Sequence, residues 1–235
     1  MLDCPSLKKE LKKAASPKKA LVLRRFFKTG PGEYGEGDVF LGVATPEARK
    51  ISKKYKDMPL GEVAELLRSG AHEERSVALQ IMTLRFQEGR ERKKIYDLYL
   101  KNTKYINNWD LVDISAYKIV GAYLSERSKA PLYKLAKSKN LWERRIAMVS
   151  TFYFIKNNQF ADALKIAALL LNDGHDLMHK AVGWMLREVG KRSQAAEECF
   201  LKDYCRQMPR TALRYAIERF PERKRRAYLS CRRKA

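Results

Sequence analysis

Four segments of the chain fall into one register: Arg75-Ser76-Val77-Ala78, Asp110-Leu111-Val112-Asp113, Arg144-Arg145-Ile146-Ala147 and His179-Lys180-Ala181-Val182, at steps of 35, 34 and 35 residues. A period of that size is the mark of stacked helical pairs. Each unit of such an array buries its apolar stripe against its neighbours, so the array curves into a solenoid with a concave and a convex face. From about residue 40 onward apolar residues recur at three- and four-residue intervals, and few stretches alternate as strands do. The expectation is an all-α helical-repeat solenoid with a concave basic groove, a single domain over residues 1–235. The last unit, near Pro209 to Phe220, is shorter than the others. It leads into a basic C-terminal tail at about 221–235.

Local signals punctuate this array. Thr45-Pro46-Glu47 predicts a helix start: a capping hydroxyl, a proline where its missing N–H costs nothing, and an acid facing the positive end of the helix dipole. The next helix is predicted from about Leu60 to Arg68, with Ser69-Gly70 as its stop. Residues 29–38, with four glycines and a proline, cannot form a helix interior and read as a surface loop. A phosphate cradle is the other reading of those glycines. No strand precedes them and no Lys-Ser/Thr follows, so the loop reading is preferred.

Charge narrows the choice of partner. Forty-nine Lys and Arg against 27 Asp and Glu leave a formal charge of +22, which repels itself unless an extended anion is bound. Nucleic acid is the first candidate. A membrane is not expected: apolar stretches such as 160–171 are interrupted by Asp162 and Lys165 and fall short of the roughly 20 residues that span a bilayer. The first residues lack the layout of a secretion signal, and a cytoplasmic protein, nucleoid-associated when on DNA, is expected. Cys4, Cys199, Cys205 and Cys231 form no C-x-x-C pair and read as reduced thiols. His175 and His179 have one metal-ligand spacing with no third ligand nearby in sequence, and no metal is expected.

The fourth place in the repeated register is occupied by Ala78, Asp113, Ala147 and Val182, so one repeat puts a carboxylate where the others put a small or apolar side chain. An acid at a packing position costs stability, and such breaks concentrate at functional sites. The competing reading is a solvated or capping aspartate at a helix start. Trp109 lies four residues before Asp113, on the same helical face. Trp184 lies between Lys180 and Arg187 at helical spacing, and Arg145 belongs to a basic pair with Arg144. If the repeats stack, Trp109, Asp113, Arg145 and Trp184 line one surface, although a single tryptophan is more often core.

The segments Asn108-Trp109-Asp110-Leu111-Val112-Asp113, Leu141-Trp142-Glu143-Arg144-Arg145 and Lys180-Ala181-Val182-Gly183-Trp184-Met185-Leu186-Arg187-Glu188 resemble those of the AlkD-type DNA alkylation repair glycosylases. Phe40-Leu41-Gly42-Val43-Ala44-Thr45-Pro46 is similar to a further segment of that family, and the likeness runs over roughly residues 20–220. The resemblance implies a HEAT-like solenoid that cradles double-stranded DNA as a monomer and excises N3- and N7-alkylated purines, with no metal or cofactor and with the base still stacked. On the same footing Asp113 is implied to be catalytic, Trp109 and Trp184 to pack at the lesion, and Arg145, Arg187 and Lys180 to contact DNA. Phe26 stands where the family often has Tyr, and the glycine-rich loop is longer than in some relatives. Two rivals are a non-catalytic nucleic-acid binder of the same fold and a protein–protein scaffold.

Overall fold

The computed structural model of the chain describes residues 2–230. No strand occurs among them, and one isolated bridge pairs Val39 with Ala71. The chain forms two compact units, Met1–Ile119 and Val120–Ala235.

The first unit holds α1 (Cys4–Lys13), α2 (Pro17–Phe26), α3 (Thr45–Lys54), α4 (Leu60–Leu67), α5 (His72–Gln87), α6 (Arg92–Lys101) and α7 (Trp109–Ala116). The Asp3 carboxylate caps α1 by accepting from Ser6 N at 2.8 Å, and Ser16 caps α2 just before Pro17. The start of α3 differs from the expectation. Ala44, not Thr45, occupies the cap position, no side chain caps the helix, and Thr45 is already helical. The fourth helix ends at Leu67 with Arg68 as its cap.

In the middle of this unit α5 packs against α1, α3, α4, α6 and α7. Neighbours on most sides of this helix sequester Val77, Ala78, Leu79, Ile81 and Met82. Its buried charged side chains find hydrogen-bond partners locally. Glu73 accepts from the amides of Leu41, Gly42 and Val43 at 2.7–3.1 Å, and Arg85 donates to the Met58 carbonyl at 2.6 Å. Gly42 takes φ +81, and a Cβ there would lie 2.1 Å from the Ser16 carbonyl oxygen. The Phe40–Pro46 motif is thus a tie holding the stretch before α3 to the N-terminus of α5.

The second unit holds α8 (Ala122–Leu124), α9 (Ala130–Ala136), α10 (Leu141–Lys156), α11 (Ala161–Leu169), α12 (Asp176–Gly190), α13 (Gln194–Tyr204), α14 (Arg210–Ala216) and α15 (Glu222–Leu229). Packing alternates: α10 touches α9, α11 and α12, and α12 in turn touches α11, α13 and α14. Gly183 lets α14 come close to α12, since a Cβ there would sit 2.4 Å from the Ala212 carbonyl oxygen. The expected basic tail includes α15, none of whose residues is buried; residues 231–235, Cys231 among them, lie outside the described residues. No helix among the described residues is long and apolar enough to cross a membrane.

The repeat register needs a correction. Aligned on their cap positions, Ala71, Asn108, Asn140, His175 and Pro209, the helices α5, α7, α10, α12 and α14 place Asp113 level with Ser76, Arg145, Lys180 and Arg214. Ala78, Ala147 and Val182 lie two residues further on, all buried, and the matching residue of α7 is Ser115, also fully buried. The segments between successive second helices differ in length, so a fixed step of about 35 slipped by two residues at α7. Asp113 therefore stands at a half-buried polar position and does not interrupt a packing row.

Candidate active site

Helix α7 begins where the buried Asn108 side chain accepts from Trp109 N at 2.8 Å and donates through Nδ2 to Asp38 Oδ2 at 3.4 Å. This cap fixes Trp109 as the first helical residue and Asp110 in the first turn, where a carboxylate meets the positive helix end. Around the indole lies an aromatic cluster. Trp109 stacks on Phe27 with centroids 5.2 Å apart, Phe26 meets Trp109 edge-on at 5.9 Å, and Phe27 stacks in turn on Phe40 at 4.9 Å. Phe26 is 61% exposed, so the cluster reaches from core to surface.

Beneath the cluster is an ionic chain that sequence reasoning did not find. The His72 ring, stacked against Phe40 at 4.4 Å, bonds Asp38 Oδ2 through Nδ1 and Asp110 Oδ2 through Nε2, both at 2.8 Å. Arg75 adds a 2.6 Å bond to Asp38 Oδ1. Burial alone would lower the His72 pKa, but the hydrogen bonds and charges of Asp110 and Asp38 outweigh it, and the imidazole is pushed up to about 9. Asp38 is likewise held below the usual carboxylate range by His72 and Arg75 despite its burial. His72 is therefore an imidazolium clamped between two carboxylates at neutral pH. Its partners lie 34 and 38 residues away in sequence, so no local motif announces them. The lone histidine beside Glu73-Glu74 was the one available hint.

A cleft of about 500 Å³ opens over this chain, with Trp109, Phe26, Phe27, Leu23 and Ile114 among its apolar lining and Asp110, Thr83, Gln80 and Ser76 among its polar lining. Asp113, one turn beyond Trp109, is half-buried and does not line this cleft. Its charge reaches the buried Tyr99 phenol, which burial pushes upward first and Asp113 further, and which bonds Ser115 at 3.0 Å. The structure thus places Trp109 and Asp113 on successive turns of one helix in the first unit.

The other four expected site residues lie in the second unit. Arg145 is buried on α10 and donates from Nη1 to the Leu177 carbonyl at 2.6 Å. Trp184 is half-buried on α12, donates Nε1–H to Glu188 at 3.2 Å and lies 5.9 Å from the Phe152 ring. The two cations beside it are already paired: Lys180 with Asp176 at 2.8 Å, and Arg187 with Glu218, its guanidinium also over the Tyr215 ring. The basic pair divides its labour, because Arg144 is forked onto Asp173 at 2.5 and 3.3 Å.

Two other expected features have structural roles. In residues 29–38 the carboxylates of Glu33 and Glu36 accept from the amides of Gly30 and Gly32 at 2.8 and 2.9 Å, so these N–H groups serve the loop's own acids. His175 is the cap of α12 and not a helical residue, its Nδ1 accepting from Leu177 N at 3.1 Å. His179 bonds the Asp173 carbonyl at 2.5 Å.

Comparison with known proteins then bears on the whole chain. No curated protein matches it. Among solved structures, one described as a predicted DNA alkylation repair enzyme from Enterococcus faecalis superposes with a TM-score of 0.69 at 18% identity, covering 88% of this chain and 97% of that one. At that identity the likeness establishes a shared fold. The family model described as DNA alkylation repair enzyme matches residues 7–220, nearly the full length, and the chain belongs to that family.

Proposed function

We propose that the protein is a DNA glycosylase that removes N3- and N7-alkylated purines from double-stranded DNA. The observation that carries the reading is the pairing on α7 of a cleft-lining indole, Trp109, with a half-buried carboxylate one turn later, Asp113, in a chain that belongs to the DNA alkylation repair family. Alkylation at N3 or N7 makes the purine cationic, so the leaving group needs no protonation. As the C1′–N bond breaks, its electron pair neutralises the purine and positive charge builds on the sugar. A carboxylate beside that sugar stabilises the oxocarbenium-like transition state and orients the water that adds to C1′. Asp113 takes that role. Indole faces attract cations by about 0.5 to 2 kcal/mol, which suits both the cationic purine and the developing sugar charge at Trp109 and Trp184.

In this reading the base stays stacked while its bond is cut, and contacts to sugar and phosphate carry recognition. Trp184, Arg187 and Lys180 contact the DNA from the second unit, and Arg145, 5% exposed, joins them only by giving up the Leu177 carbonyl. Lys180 and Arg187 exchange Asp176 and Glu218 for phosphate when they do so. The protein acts as a monomer and without a cofactor.

The test is release of 7-methylguanine from methylated duplex DNA by the purified protein, with chelator throughout, beside Asp113→Asn. Wild type is expected to release the base in chelator. The variant is expected to lose roughly 10²- to 10³-fold in rate, the usual loss when one preorganised electrostatic group is removed. Tight DNA binding without base release by the wild type would replace this reading with a non-catalytic DNA-binding one.

A further inference from the structure

Helix α2 turns a face outward that the fold does not use. It is held along one edge, where Ala20 and the half-buried Leu23 pack with Phe27 and Phe40. On the opposite side the helical spacing i, i+3, i+4, i+7 lines up Lys18, Leu21, Val22 and Arg25. Leu21 and Val22 are 61% and 63% exposed, and the two cations that bracket them are exposed as well. Among the described residues, three of the six exposed large hydrophobics, Leu21, Val22 and Phe26, stand on this one ten-residue helix. Exposed apolar residues scattered singly need no partner, whereas a cluster rimmed by charge marks an interaction surface.

Charge says what the partner is. The helix carries Lys18, Lys19, Arg24 and Arg25 and no acid, and none of the four forms an ion pair among the described residues. Glu33 and Glu36 of the loop that follows face that loop's own amides. Lys18 and Lys19 stand in the first turn, at the positive end of the helix dipole, where cations cost free energy unless an anion lies over them. An extended polyanion meets all of these, and the chain's family acts on DNA. Phe26, beside the stripe, meets Trp109 edge-on and lines the cleft, so the stripe adjoins the candidate site. Lys18 and Arg25 lie about 10 Å apart along the helix axis, and their stems carry them to phosphates on both sides of a minor groove about 6 Å wide. Leu21 and Val22 between them have no hydrogen bond with which to read a major groove, but they fit the apolar sugar edges that wall a minor one.

We propose that α2 is a DNA-contacting element laid across the minor groove, with Lys18 and Arg25 on phosphates of opposite strands and Leu21 and Val22 on the sugar edges between them. The contact is independent of base sequence, and it leaves the bases stacked. It rests on the glycosylase reading only for its duplex partner, and no part of base release is assigned to the stripe.

The experiment is a fluorescence-anisotropy titration of the full chain onto an unmodified A·T-rich duplex over a series of salt concentrations. It compares wild type with the double variants Lys18→Ala/Arg25→Ala and Leu21→Ala/Val22→Ala. All four positions are exposed and alanine sustains a helix, so both variants should keep the wild-type circular dichroism. Loss of two phosphate contacts should lower the slope of log affinity against log salt by about 1.8. Loss of the aliphatic pair should weaken binding roughly fivefold, as for about 40 Å² of apolar surface returned to water, and leave the slope unchanged. Netropsin, which fills the minor groove, should erase the difference between wild type and Leu21→Ala/Val22→Ala. Unchanged affinity in either variant, or a difference that survives netropsin, overturns the proposal. So does unaltered DNA binding with lost binding to phosphatidylserine vesicles, which would assign the helix to a lipid surface. Release of 7-methylguanine is followed on the same proteins. Release by wild type with variants that bind DNA normally sinks the α2 proposal alone; weakened binding by the variants with no release by wild type sinks the glycosylase reading alone.

Discussion

Two side chains make the stability of this protein sensitive to alkali, and both can be separated by mutation. Glu197, 1% exposed, has an unpartnered Oε1, and burial, then the charge of Glu198, pushes its carboxyl up to about 8 despite Arg187 nearby. A carboxyl whose folded pKa lies above its unfolded value favours folding most below the unfolded value and loses that contribution as pH rises through the folded one. For Glu197 the window runs from 4.5 to about 8, and for the His72 imidazolium from 6.5 to about 9. Denaturant midpoints should therefore fall between pH 6.5 and 9. In Glu197→Gln the decline should shrink and the stability at pH 8.5 should rise by roughly 2 to 5 kcal/mol, from about 1.4 kcal/mol per pKa unit. An unchanged pH profile in that variant would mean the buried carboxyl is not the titrating group. Neither residue stood out in the sequence, where Glu197 is one of several acids on an ordinary helix and His72 one of three histidines.

At the scale of elements, the helices follow from local rules and their spacing from particular small residues. Ser16-Pro17 and Asp3 start helices by the same chemistry that Thr45-Pro46 advertises, yet at α3 the backbone turns one residue earlier and leaves the hydroxyl without a capping role. Past Ala116 the chain widens into a π turn, Tyr117–Gly121, which no apolar spacing signals. Gly183 lies inside the Lys180–Glu188 motif and lets α12 and α14 touch. Gly183→Ala forces a methyl group to 2.4 Å from the Ala212 carbonyl oxygen and should cost about 1 to 3 kcal/mol in a denaturant titration, the usual range for overpacking. A neutral or stabilising result would mean that α14 can retreat without loss. The same motif thus mixes a packing residue with candidate DNA contacts, and only the position of α14 tells them apart.

For the molecule as a whole, the formal charge of +22 is the property that most directly predicts behaviour. Binding to duplex DNA should weaken steeply with salt, because each phosphate neutralised releases counterions. With six or more phosphate contacts the affinity falls by roughly 10³-fold or more between 50 and 200 mM salt. A slope near zero in log affinity against log salt would remove DNA as the partner of this charge. Many of the cations are already committed within the fold, as Lys54 is to Glu10, Lys224 to Glu198 and Arg144 to Asp173. The measured slope should therefore be far smaller than the count of basic residues suggests.

The sequence by itself determined the helical class, the charge, and the presence of Trp109 and Asp113 on one helix, because each depends on composition or on spacings of three and four residues. It misplaced the repeat register by two residues at α7, since the lengths of the segments between helices are not periodic. Tertiary structure alone decided that Arg187 meets Glu218 and that His72 is clamped between Asp38 and Asp110. It also decided that Asp110, rather than Asp113, lines the aromatic cleft. Helical periodicity fixes which face of a helix a side chain occupies, whereas its partners are chosen by how neighbouring helices pack, across 31 to 38 residues of chain in these cases.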